Sequence, residues 1–414
     1  MGEVLDVAGK VTQTMARLRS GSGRQDPYPG YELLRAQGPL LPTLWGGLLA
    51  TDHATCGRVL RSPQWGEPDP VWKDRWIPGW REHLSLTYAA QTVMQLNPPE
   101  HADQRARAAA CLSAGRLAGL EPVIERMVQE RLQALVAELA ERGRADFARL
   151  VADPLPMMVI CALVGLPEDD AWWLVGVVRK FTCVMELSPS RHELEAADDA
   201  VAVLQEYGLK ALERQRQARA QGRPGAGLLG DLAAQPLNEH DVQRTGLLII
   251  TLLITGWQTT ASLLGSIVLA LDRFPDQAAW LRRHPGQIGQ AVDEVLRWDP
   301  PIQVVSRVAL CDTELAGTPV PAGQLVHALV GSAHYDPLVV TNPQRLDFSR
   351  AQRGLLAFGR GPHYCLGAQL TRCEGALVLS QLLERFDRLR VAQIPGRPCG
   401  IAFRGITSLV VEAG

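Results

Sequence analysis

The sequence predicts a mainly α-helical fold with a minor β portion, on three observations. Apolar residues recur at three- and four-residue spacing between charges from Pro122 to Gly143 and from Glu193 to Ala220, the pattern of amphipathic helices. An uncharged apolar run from Thr245 to Leu271 reads as a further helix, hydrophobic all round and therefore buried. Past Pro300 the pattern changes to short β-prone runs, such as Ile302 to Val308 and Gln324 to Val330, punctuated by Gly and Pro. With 414 residues, 46% of them hydrophobic, the chain can bury a large core. It has no repeat, no low-complexity tract and no linker long enough to demand a boundary, so a single domain over 1–414 is expected.

In chain order, the stretch from Gln25 to Asp52 reads as a turn, a short helix and an early hairpin around Gly46 and Gly47. Trp65 to Leu96 holds four of the ten tryptophans, Trp65, Trp72, Trp76 and Trp80, and is a candidate for the wall or lid of a substrate pocket. The Gly/Pro-rich "AQGRPGAGLLGD" after Glu193–Ala220 reads as a loop. The Thr245–Leu271 run exceeds the ~20 residues needed to span a bilayer, which makes a membrane helix the rival reading. Gln258, three glycines and a stripe of hydroxyls at Thr251, Thr255, Thr259, Ser262 and Ser266 argue instead for a helix through a protein core. Such hydroxyls ordinarily bond back to the carbonyl four residues earlier. Thr259 is the expected exception: Gly256, three residues before it, leaves room for an approach to the backbone, and Gln258 and Thr260 flank it, as in a cleft with a proton-handling alcohol.

Composition excludes several function classes. The eight cysteines are scattered, with no C-x-x-C pair, so neither a zinc site nor a disulfide framework is indicated. No secretory leader is evident, and a cytoplasmic, reducing setting fits. A net charge of −2 argues against nucleic acid as the main partner.

One cysteine stands apart from the others, which read as small buried hydrophobes. In "LLAFGRGPHYCLGAQL", Leu355 to Leu370, Cys365 lies among Gly359, Gly361 and Gly367, just before a helical period through Leu366, Leu370, Cys373 and Leu377. The glycines permit tight turns and close backbone approach to a bulky partner. A thiol near a helix N-terminus meets unpaired N–H groups, which stabilise its thiolate and suit it to bind a metal. Phe358 can shield the sulfur, and His363 offers a donor.

"FGRGPHYCLG" fills every fixed position of F-G-x-G-x-H-x-C-x-G and so resembles the cysteine-ligand loop of the cytochrome P450 superfamily. Further landmarks follow in the family's order over nearly the whole chain: "NPPEHADQR", "TGWQTT", "EVLR" and "PQRLDFSR". The resemblance implies a P450 fold, haem b held by Cys365 as the iron ligand, and O2 as co-substrate. It implies that His101, Arg105, Arg307 and His363 serve the haem propionates, with Phe358, Gly359 and Gly256 also at the cofactor. It implies that Glu294 and Arg297 form a buried structural pair whose third partner is Arg345 or Arg350.

The implied activity is monooxygenation of a small organic, secondary-metabolite molecule. Electrons would come from a ferredoxin and its reductase, docking near Arg353, Arg360 and Arg372. Neither a membrane nor nucleic acid is an implied partner. Thr259 and Gln258 occupy the catalytic positions, and Val93, Met94, Trp257 and Val304 are the candidate substrate contacts. One departure matters: where the family carries an acid before the threonine, this chain has Gln258. Atypical chemistry (oxidative coupling, nitration or rearrangement) and a haem protein without turnover therefore stay open beside simple oxygen insertion.

Overall fold

The periodic segments fold as helices, most of them longer than their clearest stretch of periodicity. The computed structural model describes residues 2–236, 238–351, 353–398 and 400–414; Cys399 lies outside the described residues. The chain forms two compact units, one made of the residues up to Pro68 with Ser262–Ala368 and Leu382–Gly414, the other of Asp69–Ala261 with Gln369–Gln381.

The first unit is organised by a sheet. Its hairpin joins β1 (Leu40–Pro42) to β2 (Leu48–Ala50) around Gly46, whose φ of +86° suits a residue without a side chain. Next come β3 (Trp65–Gly66) and, past β4 (Ala145–Asp146) of the other unit, β5 (Val304–Ala309), β6 (Thr313–Leu315), β7 (Thr318–Val320) and β8 (Leu325–Leu329). The sheet order is β1-β2-β8-β5-β3, parallel only between β2 and β8. In the β3–β5 ladder, Trp65 faces Ala309 and Gly66 faces Val308. Trp65 joins Cys56, Leu60, Val326, Ala328 and Leu356 in the core beneath it. β6 and β7 form a separate hairpin, and β9 (Leu389–Val391) pairs antiparallel with β10 (Val410–Ala413).

The second unit is helical. Ala114–Arg142 begins two turns before the predicted start and carries Pro122 inside; buried Leu117 and Leu120 hold those turns, and the proline removes a single backbone donor. Arg191–Ala220 starts with a capping box in which Ser190 and Glu193 satisfy each other's backbone N–H. The predicted loop after it is helical over Gly227–Ala233, a correction whose cause is tertiary. Leu228 and Leu229 are buried, and a Cβ on Gly165 would stand 2.0 Å from the Ala226 carbonyl oxygen, so glycine there lets the two segments meet.

The apolar run lies in the 35-residue helix Glu239–Arg273. It is long and apolar enough to cross a membrane, yet 67% of its apolar window is buried inside the fold, as expected for a core helix.

Candidate active site

Cys365 follows a short 3-10 turn at Gly361–His363 and precedes the helix Ala368–Arg385. Its N–H donates to the Phe358 carbonyl at 2.9 Å, closing the loop. Gly359 and Gly361 both adopt φ +68°, the left-handed region in which a side chain is strained. A Cβ on Gly361 would also stand 2.8 and 2.9 Å from the carbonyl oxygens of Arg61 and Leu60, so this glycine seats the loop against the helix His53–Arg61. Phe358 is buried and Cys365 partly exposed.

The other cysteines divide. Cys56, Cys111 and Cys161 are the buried hydrophobes expected; burial pushes the Cys161 thiol up to about 12. Cys311 is exposed, which corrects the expectation for that residue, because it lies in the connection between β5 and β6.

An ion bound by side chains alone needs three or four donors. Among the described residues no group of three His, Cys, Asp or Glu is placed to hold one. A lone thiol in a glycine-shaped loop suits a metal whose other positions a macrocycle already fills. The residues present therefore fit haem.

On the long helix, every residue from Ile249 to Ala261 is buried except Thr255, Gly256, Gln258 and Thr259, which are partly exposed. This window in the middle of a core helix coincides with the predicted catalytic positions. Thr255 and Thr259 share a face, and each hydroxyl donates to the carbonyl four residues back, Thr255 to Thr251 at 2.8 Å and Thr259 to Thr255 at 3.1 Å. Thr259 is thus no exception in its bonding; its distinction is its exposure. With the donors committed, both oxygens offer lone pairs to an incoming donor. Thr255 stands in the same hydroxyl stripe and shares this exposure.

Gly256 differs from its predicted role. A Cβ there would lie 2.5 Å from Ile160 Cδ1, so the missing side chain makes room for the neighbouring helix Pro154–Val164. Trp257 is 1% exposed and packs beneath a partly exposed ion pair: its indole N–H donates to the Asp153 carbonyl at 2.9 Å, and the Arg179 guanidinium lies 5.0 Å from its ring centroid. Arg179 also pairs with the Asp153 carboxylate at 2.7 Å. Burial outweighs that cation and pushes the Asp153 carboxyl up to about 6. Neither Asp153 nor Arg179 carries a sequence signal, since only tertiary packing joins them to Trp257.

Among the predicted cofactor partners, His101 is buried and Arg105 partly exposed on the helix Glu100–Cys111, and His363 is partly exposed. Arg307, on β5, is already engaged: Nη1 pairs with Glu67 Oε1 at 2.5 Å and donates to the Ser306 carbonyl at 2.8 Å. Cys365, Phe358, Gly359, His363, Arg307 and Val304 belong to the first unit. His101, Arg105, Gly256, Trp257, Gln258, Thr259, Val93 and Met94 belong to the second.

Glu294 and Arg297 form the buried pair expected, with Arg297 Nε and Nη2 on the two carboxylate oxygens at 2.7 and 2.8 Å. Of the two candidate third partners, Arg350 reaches Glu294 with its side chain at 3.3 Å, while Arg345 contributes its carbonyl to Arg297.

Val93 and Met94 are partly exposed in a turn, and Val304 is buried at the start of β5. Of the four tryptophans in the pocket-wall candidate, Trp65 belongs to the core under the sheet. Trp80 is buried with its N–H on Asp74, whereas Trp76 is 55% exposed and tilts against Trp72.

Comparison with known proteins agrees with this geometry. A family model described as cytochrome P450 matches residues 288–396. Cytochrome P450 BJ-3 of Bradyrhizobium diazoefficiens is 31% identical over 99% of this chain and 98% of its own length. Pentalenic acid synthase of Streptomyces avermitilis is 33% identical over 93% and 94%. Among solved structures, P450BioI in complex with an acyl carrier protein ligated to hexadec-9Z-enoic acid is 25% identical, with a TM-score of 0.84 over 95% of this chain and 100% of that one.

Proposed function

Because the chain belongs to the cytochrome P450 family, we propose that it works as one catalytic domain, uses haem b and O2, and hydroxylates or epoxidises a small organic substrate of secondary metabolism. Membership makes it a haem-dependent monooxygenase. The observation that carries the reading is the Cys365 loop: a lone thiol donor, set by two left-handed glycines and backed by a buried Phe358.

In this reading Cys365 binds the haem iron, and Phe358 and Gly359 keep water and bulk from the sulfur. Bound by that thiolate, haem would supply the activation of O2, two electrons and two protons being consumed for each oxygenated product and water formed. His101, Arg105, Arg307 and His363 hold the propionates, and Gly256 lets the long helix seat at its window. Thr259 Oγ1, whose own hydrogen is held by the Thr255 carbonyl, accepts a hydrogen bond from a water there and so positions that water as the proton donor. Gln258 fixes that water by its amide, which at neutral pH cannot ionise. Val93, Met94 and Val304 shape substrate binding, while Trp257, buried with its N–H on Asp153, holds the long helix in place. A ferredoxin, recharged by its reductase, supplies electrons through a surface near Arg353, Arg360 and Arg372, in the cytoplasm.

Two measurements test this. The reduced, CO-bound protein should show the red-shifted Soret band of a thiolate complex, lost in Cys365→His. Turnover under ¹⁸O2 should leave one labelled atom in the product. A globin-like CO spectrum in the wild type removes the reading.

Gln258 favours a second reading, in which the reaction is diverted to coupling, nitration or rearrangement before the second proton is needed. Unlabelled product under ¹⁸O2 would select it.

A further inference from the structure

The β3–β5 register, continued by one residue past Gly66–Val308, places Glu67 directly opposite Arg307. Cross-strand neighbours at this distance interact strongly, and the two side chains meet at 2.5 Å while only 11% and 9% exposed. Among the described residues, the ion pair of Arg307 with Glu67 and its hydrogen bond to the Ser306 carbonyl both use Nη1. Nε and Nη2 of that guanidinium therefore keep their donors for a second anion.

We propose that Glu67 is a positioning residue of the haem site: it fixes Arg307 through Nη1, presents the remaining donors to a cofactor carboxylate, and offsets the positive charge that Arg307 brings there. The proposal rests on the reading of Arg307 as a propionate partner. A carboxylate so placed makes the iron harder to reduce, because each added electron meets an extra fixed negative charge. A fixed unit charge inside a protein acts on a redox centre through an effective dielectric of ~20, which leaves an effect of several-fold on the equilibrium.

The test uses haem-loaded protein and two readouts that need no substrate: the equilibrium of reduction against a dye of known potential, and the rate of haem transfer to excess apomyoglobin. Glu67→Gln keeps the size and shape of the side chain and removes its charge. It should raise the reduction equilibrium constant several-fold, up to about tenfold, which is 59 mV for one electron. Glu67→Asp, which keeps the charge, should stay with the wild type. A constant in Glu67→Gln that is unchanged or lower overturns the proposal. Arg307→Gln separates it from the reading beneath: it should lower the constant and speed haem transfer. If Arg307→Gln does both and Glu67→Gln does nothing, only the role of Glu67 fails. If Arg307→Gln leaves both readouts unchanged, Arg307 is no propionate partner and the proposal falls with it.

Discussion

Replacing Glu294 by Gln changes one oxygen to nitrogen and should cost about 3–5 kcal/mol, the penalty for leaving a buried charge without its partner. The structure shows why so small a change is expensive. The Glu294 side chain is fully buried and that of Arg297 is 2% exposed. Arg297 donates to both carboxylate oxygens and to the carbonyls of Pro343 at 2.8 Å, Arg345 at 3.2 Å and His334 at 3.4 Å. Glu294 also accepts the Asp347 N–H at 2.9 Å and Arg350 Nε at 3.3 Å. In the variant, an amide NH2 would face donors where an acceptor stood, and the guanidinium could not escape to water.

Glu294→Leu with Arg297→Met removes both charges but orphans the carbonyls of His334, Pro343 and Arg345, so the double variant should cost no less than the single one. The carbonyls it orphans would still cost about 1–3 kcal/mol each. Arg350→Ala, at a side chain 18% exposed, loses a long hydrogen bond to Glu294 and two more to the carbonyls of Thr341 and Arg345, and about 1–3 kcal/mol is expected. Urea unfolding followed by far-UV circular dichroism at equal haem occupancy measures all three. A cost under 1 kcal/mol for Glu294→Gln, or a double variant clearly more stable than the single, would refute the reasoning.

Gln258→Glu restores an ionisable group beside Thr259 and should raise oxygenated product per NAD(P)H consumed at unchanged product identity; loss of the native product would instead support the diverted reaction. Gly256→Ala sets a methyl against Ile160 and should destabilise by roughly 1–3 kcal/mol, an overpacking cost that Ile160→Val should partly reverse in thermal melts. His327 and His334 are buried neutral, held at about 4 and about 3 chiefly by loss of hydration. The unfolded chain takes up those protons near pH 6.5 and the folded one does not, so stability is full above pH 6.5 and falls below it. At pH 5 each histidine should cost about 2 kcal/mol; urea midpoints equal at pH 7 and pH 5 would contradict this. The His334→Gln variant should show about half the wild-type slope over that range.

The sequence by itself determined whatever depends on local pattern. Periodicity located Ala114–Arg142 and Arg191–Ala220, because a buried helical face must repeat every three to four residues wherever it packs, and an unbroken apolar run located Glu239–Arg273. The cysteine loop was legible for a similar reason: left-handed turns at Gly359 and Gly361 require glycine at fixed spacing from the thiol, so the geometry is written into adjacent residues.

Contacts between distant segments left no such trace, and tertiary structure decided them. Gly256 read as an opening and is a notch for Ile160, and Trp257 read as a pocket wall and bonds to Asp153. The choice between Arg345 and Arg350 turned on which side chain could reach Glu294 across 56 residues. Glu67 meets Arg307 only because β3 and β5 pair in one register, and a shift of one residue would have sent its side chain to the other face of the sheet. Spacing along the chain encodes what each segment can become. Which charges, rings and carbonyls it then meets is fixed by packing of the whole chain, and that is where the charge balance around Arg307 was set.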